Sequence, residues 1–423
     1  MKTSNHLSLA KLWIFNYDFE FELAKKNSIS FDVSSSYPWH YLNRSTNLLL
    51  PLTIPEDSIL VYEAPPDAIQ SALADKLGYL PNYISFKTEV ESNSLLDDLA
   101  SVDKLEEIFS RNLPLSPWGW SKKSFQFQKK LDQATPLNYS VVRQINAKCF
   151  SHHLRDQFLP PQFSIPAKSI ETALTVHELE SELNDFHHHH SNFFIKHNYG
   201  TAGYLADYCA STDFTNRKLK KWKSWLNQGG GLLLEKQESV ADEYSLQLEI
   251  EDENRIHSLV LTNLLSRRDS HYQGTVIDDS FARLKEKLTH QLSSVINQLG
   301  KTGYVGPVGI DLIKTGSGDY KLLEINARLT MGRVAYEWHR KVNPYPMGIL
   351  SHLFLKHRKL KSPEAIVECC HRLEEKYLCS IFLFNLIVQR NNLISMIGFF
   401  IGSETTENIW NAVDALRSAL YVK

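Results

Sequence analysis

The chain has 423 residues, 43% hydrophobic and 22% charged, with a formal net charge of -2 at pH 7. That length suggests two to three domains with ample core. The near-zero charge gives no electrostatic reason to expect nucleic acid or an anionic membrane as partner. Five cysteines (Cys149, Cys209, Cys369, Cys370, Cys379) show neither zinc-type spacing nor a disulfide framework. The opening MKTSNHLSLAKLWIFNYDFE meets acids too early for a secretory segment. No apolar run approaches the ~18 residues of a membrane span, so a cytoplasmic protein is expected.

In chain order, Leu12–Phe15 is strand-like, the acidic NYDFEFELA follows, and SILVYEAP is a second strand; together they predict a small α/β unit. LPLSPWGWSKK reads as a loop punctuated by Pro114, Pro117 and Gly119. Trp118 and Trp120 either line a cleft or divide between core and surface. NAKCFSHHLRDQF predicts a helix that Pro160 and Pro161 stop. A strand, the helix ETALTVHELESELNDF and the strand NFFIK come next. The tract His187–His190 is expected to be a solvated loop, since consecutive imidazoles on a helix end do not share a face. A Lys-rich amphipathic helix, a glycine turn and the strand LLLEKQ follow. EYSLQLEI alternates, with Tyr244, Leu246, Leu248 and Ile250 on one face. One helix is expected near FARLKEKLTHQLSSVINQL. From about Ser351 a helical stretch, the β-rich CSIFLFNLI and LISMIGFFIG, and a closing helix are expected.

The most informative segment is GPVGIDLIKTGSGDYKLLEINARLTMGR, residues 306–333. It reads as a hairpin; a pivot between Ser317 and Gly318 sets Asp311 opposite Glu324, with Asn326 on the same face. Facing carboxylates destabilise a sheet by up to roughly 1 kcal/mol unless a cation lies between them. Two carboxylates and an amide oxygen are hard ligands suited to Mg²⁺. Arg328 and Arg333 stand ready for anionic oxygens.

This hairpin resembles the last core strands of the ATP-grasp superfamily, in which an acid precedes an E-x-N-x-R run; here these are Asp311, then Glu324, Asn326 and Arg328. Three further places follow the family's order, as in biotin carboxylase and its relatives. Lys148 matches the lysine near a helix start. Lys196, in FFIKHNYGTAGY, matches the lid-strand lysine, with Gly200 and Gly203 in the loop behind it. LLLEKQE matches the strand whose end reads adenine, which implies contacts from Glu235, Lys236, Gln237 and Glu238, and ribose contacts from Glu238 or Glu243. A surface turn at 197–203 and a solvated strand end at Glu243 are the plainer alternatives. Arg267 and Arg268 are candidate clamps for a γ-phosphate or substrate carboxylate. The resemblance spans about 146–333. It departs from the family's pattern in using Asp311 where many relatives have Glu, and in having fewer lid glycines than biotin carboxylase.

The resemblance implies a multidomain α/β and α+β chain: an N-terminal α/β domain over 1–145, an ATP-grasp core over 146–350 with a lid at about 165–230, and a small C-terminal α+β piece over 351–423. It implies ATP with Mg²⁺, or Mn²⁺ in its place, and a carboxylate activated as an acyl phosphate for attack by an amine. Small-molecule or peptide carboxylates and amines are then the substrates. A kinase acting on a non-carboxylate acceptor, or a nucleotide-binding scaffold without turnover, are the alternatives. No signature names the substrate.

Overall fold

The computed structural model describes residues 10–24, 44–86, 94–100, 105–135, 137–200, 205–210, 214–227, 230–266, 272–356, 360–388 and 394–420. Its first sheet is parallel: β1 (Leu12–Ile14), β2 (Ser58–Val61), β3 (Asn82–Ser85) and β4 (Leu115–Pro117), in the order β3-β2-β1-β4. Where a loop was expected at LPLSPWGW, residues 115–117 pair with β1 as an edge strand. A proline is tolerated there because an edge strand can leave one side of its backbone unpaired. Strand order reverses at β1, so the crevice beyond the carboxyl ends of β1 and β4 is the place where such sheets put ligands. Asn16 bridges it, donating from Nδ2 to Gly119 O at 2.7 Å. A Cβ on Gly119 would stand 2.5 Å from the Phe19 ring. Its absence lets the short helix Phe19–Ala24 close onto the rest of the molecule. Trp118 is buried against Phe15, while Trp120 is half-buried beside Phe125.

The second sheet is antiparallel, with β5 (Ala167–Ile170), β6 (Phe193–His197), β7 (Ala206–Cys209) and β8 (Leu232–Lys236) in the order β5-β8-β6-β7. Helices Val176–His189 and Asn216–Asn227 cover it with Leu179, Leu183, Phe186, Leu219 and Trp222. The histidine tract is not a loop. His187–His189 complete the last helical turn and His190 caps it, its N–H donating to Phe186 O, a helix end that favours imidazole.

His197, at the end of β6, is fully buried, and burial pushes its imidazole down to about 4. The unfolded chain, with its histidine near 6.5, then binds a proton that the folded chain refuses. Stability is expected to fall as pH drops from about 6.5 to about 4, by up to roughly 3 kcal/mol for this group. Urea unfolding at stepped pH checks this. His197→Gln should flatten the slope, and an unchanged slope would contradict it.

The third sheet has eight antiparallel strands in the order β13-β12-β9-β10-β11-β14-β16-β15. They are β9 (Val240–Asp252), β10 (Arg255–Ser266), β11 (Tyr272–Asp278), β12 (Gly306–Thr315), β13 (Tyr320–Asn326), β14 (Met347–Lys356), β15 (Cys379–Val388) and β16 (Ile394–Ser403). Residues 347–356 are a strand where a helical stretch was expected from Ser351; the helix is Pro363–Tyr377. β14, β16 and β15 thus continue the core sheet from the C-terminal side. The expected helix at 281–299 is two, Ala282–Gln291 and Ser293–Gly300, divided at Leu292.

Tyr244, Leu246, Leu248 and Ile250 all face a core shared with Leu288, Val295 and Leu299, as the alternation predicts. The opposite face of β9 is also covered, by helix Met331–Val342. A Cβ on Gly332 would lie 2.5 Å from Gln247 Nε2 and 2.8 Å from Thr262 Oγ1, so glycine lets this helix press onto the sheet's polar face. Among the described residues no helix is long and apolar enough to cross a membrane. The five cysteines are buried free thiols.

Candidate active site

The polar face of β9, β12 and β13 carries the site. Asp311 stands opposite Glu324, with Asn326 two residues along. The pairing is the expected one, but the turn is not: Leu312 pairs with Leu322 and Lys314 with Tyr320, which centres the hairpin on Ser317. A bulge next to the Asp311–Glu324 pair shifts the register by one residue and restores that pair.

Ser245 on β9 donates to Asp311 Oδ1 at 2.5 Å, and Asn326 Nδ2 donates to Asp311 Oδ2 at 2.8 Å. Burial, reinforced by the Glu324 charge, raises Asp311 to about 7. Burial also works against the charge on Glu324. Lys148, whose Nζ stands 2.5 Å from Glu324 Oε2, outweighs it and brings Glu324 down to about 2. Among the described residues no three His, Cys, Asp or Glu side chains converge as a metal cluster. A divalent ion here would rest on Asp311, Glu324 and the Asn326 amide, with remaining positions open to substrate oxygens, the pattern Mg²⁺ favours.

Lys148 begins the helix Lys148–Phe158 and also donates to Gly200 O at 3.0 Å. Asn198 holds that helix start, its Oδ1 accepting from Cys149 N at 2.8 Å. Lys196 on β6 is ion-paired with Glu235 on β8. Glu235 is 2% exposed and lies 3.5 Å from the Arg155 guanidinium. Arg155 Nε also donates to Asp156 Oδ1 at 3.2 Å, so Lys196 and Arg155 are met by two carboxylates at this end. The hairpin end holds Asp311, Glu324 and Glu20 against Lys148 and Arg328, three carboxylates to two cations. The hairpin end is left with the excess of carboxylates, which calls for a cation.

Arg328 donates to Asn326 Oδ1 at 3.1 Å and is ion-paired at 2.7 Å with Glu20 of the N-terminal helix. Arg333 pairs with Glu249 and Glu337. Lys236 is exposed at its tip and lies 3.4 Å from Glu238. The backbone N–H groups of Lys236 and Gln237 donate to Pro166 O and Asn192 O, both at 2.9 Å, so they already hold β8 in place. Glu243 is half-buried on the same face as Ser245. Gly203, Arg267 and Arg268 lie outside the described residues.

A model of the ATP-grasp domain matches residues 167–332. This segment is an ATP-grasp domain. Solved structures with the same fold extend the likeness over nearly the whole chain. The biotin carboxylase domain of Hydrogenobacter thermophilus 2-oxoglutarate carboxylase, in complex with MgADP, ADP and bicarbonate, is 12% identical. It has a TM-score of 0.57 over 97% of this chain and 90% of that one. Campylobacter jejuni biotin carboxylase, in a β,γ-ATP complex, is 12% identical, with a TM-score of 0.55 over 96% and 94%. N5-carboxyaminoimidazole ribonucleotide synthetase from Thermus thermophilus is 10% identical, with a TM-score of 0.52 over 97% and 99%. No curated protein sequence matches the chain.

Within the ATP-grasp domain, Ser245 and Gln247 were not among the expected site residues; both are 2% exposed on the non-core face of β9. The same alternation that marks the core face of EYSLQLEI marks these as its buried polar face. Arg155 and Glu20 were also missed. Glu20 is signalled only by the acid-rich NYDFEFELA, whose partner Arg328 is 308 residues away.

Proposed function

We propose that this protein is an ATP-dependent ligase that activates a carboxylate as an acyl phosphate and transfers the acyl group to an amine. The observation that carries the proposal is the carboxylate hairpin of the ATP-grasp domain and the cations gathered beside it. A cation-seeking carboxylate pair, Asp311 and Glu324, lies across Lys148 from Lys196, which shares Glu235 with Arg155. Mg²⁺ bound with ATP supplies charge neutralisation at the β- and γ-phosphates and a template for in-line transfer.

Asp311, Glu324 and Asn326 would hold that ion. Lys148 and Lys196 meet phosphate oxygens as point charges from opposite sides. β8, through residues 235–238, lies along the adenine; because the amides of Lys236 and Gln237 are engaged, carbonyls and the remaining amide carry that contact. Arg328, steadied by Glu20, presents its guanidinium to the substrate carboxylate or the transferring phosphoryl group. The substrate carboxylate oxygen attacks the γ-phosphorus and ADP leaves; the amine then attacks the acyl carbon and inorganic phosphate leaves. Positioning and charge stabilisation supply the acceleration, and no protein nucleophile is required. The buried free thiols of all five cysteines support a reducing, cytoplasmic setting.

Hydroxylamine trapping tests this. With ATP, Mg²⁺ and a panel of amino acids, dipeptides and bicarbonate, hydroxamate is expected with a subset of the carboxylates in step with ADP release. ADP formation on a hydroxyl acceptor without hydroxamate would make the protein a kinase. Binding without turnover on every substrate would make it a nucleotide sensor.

A further inference from the structure

Helix Lys148–Phe158 turns Lys148, Ser151 and Arg155 to one side, at spacings of three and four residues. Each meets the bulged strand β13 or its neighbour. Lys148 reaches Glu324. Ser151 Oγ accepts from Ile325 N at 3.0 Å. Arg155 Nη1 donates to Leu322 O at 3.1 Å. Leu322 and Ile325 bracket the stretch where the register shifts, so the helix pins the bulge that sets Glu324 opposite Asp311.

Arg155 also reaches the other sheet. Its Nη2 donates to Ile165 O, just ahead of β5, at 2.7 Å, and to His152 Nδ1 at 3.0 Å. Its Nη1 lies 3.5 Å from Glu235 Oε2, an atom that accepts no hydrogen bond. The other oxygen of that carboxylate holds Lys196. The Arg155 side chain is 0% exposed. Its Nε donates to Asp156 Oδ1 at 3.2 Å. A fully buried guanidinium is costly unless its donors are used, and only its planar fork serves several carbonyls and two carboxylates from one point. This one joins the sheet that carries Lys196 to the strand that carries Glu324.

We propose that Arg155 is a positioning residue for the nucleotide: it fixes the Glu235 carboxylate, and through it the Lys196 ammonium, relative to the bulged strand that bears Glu324. The proposal rests on the ATP-binding function proposed above. It assigns no contact between Arg155 and substrate. Lys196 supplies the contact, and Arg155 determines where that contact is made.

The test is a double-mutant cycle on ATP affinity, measured by titration calorimetry with Mg²⁺ on the full chain. Arg155→Met is expected to raise the Kd about tenfold and Lys196→Ala about tenfold or more, on the scale of a hydrogen bond to a charged group. The double variant should bind no more than about twofold more weakly than Lys196→Ala alone, because both changes remove one contact. Arg155→Lys, which keeps the charge without the fork, should recover part of the loss.

If Arg155→Met does not fold, the cycle of Arg155→Lys with Lys196→Ala carries the same test. A purely structural arginine would lower the melting temperature and leave the Kd of the folded protein unchanged, which would overturn the proposal; so would fully additive losses. Wild-type protein that fails to bind ATP would overturn the proposed function and this inference with it.

Discussion

Glu324→Gln is expected to lower ATP turnover at least tenfold while leaving the protein folded. The substitution keeps shape and removes one charge from a pair buried on the polar face of the core sheet. Glu324 faces Lys148 at 2.5 Å, the Asn326 amide at 3.4 Å and, across the ladder, Asp311. Burial is the larger cause of the Asp311 shift and the Glu324 charge the smaller, so the substitution eases Asp311 only in part, while Lys148 loses the ion pair that holds Glu324 near 2. The glutamine form should therefore melt somewhat below wild type without metal. The main cost falls on function, since a divalent ion would then face one carboxylate instead of two. A charge-assisted contact is worth about 1.5–3 kcal/mol, or roughly ten- to a hundredfold in rate if it is made in the transition state. Phosphate release at saturating ATP and Mg²⁺ measures this. Near-wild-type turnover would remove the hairpin from the chemistry.

The two lysines are expected to weaken ATP binding alike and to differ in stability. Lys148→Ala and Lys196→Ala should each cost about 1.5–3 kcal/mol of affinity. Removing Lys148 leaves Asp311, Glu324 and Glu20 with Arg328 as their remaining close cation, so this variant should melt lower than wild type in metal-free buffer. Mg²⁺ should restore part of the loss, because a ligand that binds only the folded state stabilises it. Removing Lys196 leaves Glu235 facing Arg155, so its melting temperature should move little with or without Mg²⁺. Thermal melts of both variants across an Mg²⁺ series separate the two cases. Equal destabilisation, with no Mg²⁺ response from Lys148→Ala, would contradict the carboxylate excess at the hairpin.

The hairpin was legible because both of its signals are local: alternation along each strand, and turn residues Gly316, Ser317, Gly318 and Asp319 between them. The facing of Asp311 and Glu324 followed from counting. The bulge that delivers it did not, since no residue type marks the one-residue shift beside Asp311. Lys148, Lys196 and Glu235 could be placed by their order along the chain, but not their ion pairs, which join residues 39 and 176 positions apart. β4 was hidden by its prolines, which forbid a central strand but permit an edge. The histidine tract was misjudged because solvation of the imidazoles was weighed and their fitness for a helix end was not. Ser245 and Gln247 were within reach, since they occupy the alternate positions of the strand whose apolar face was assigned correctly.

The central claim is that one metal–nucleotide complex lies between the carboxylate hairpin and the two lysines. Titration calorimetry of ATP into the wild-type chain, with and without Mg²⁺, tests it most directly when repeated on Asp311→Asn/Glu324→Gln. One site per chain is expected, with wild-type affinity strengthened at least about tenfold by Mg²⁺ and that strengthening lost in the double variant. ATP binding that is equally tight without Mg²⁺, or Mg²⁺ dependence that survives loss of both carboxylates, would contradict it.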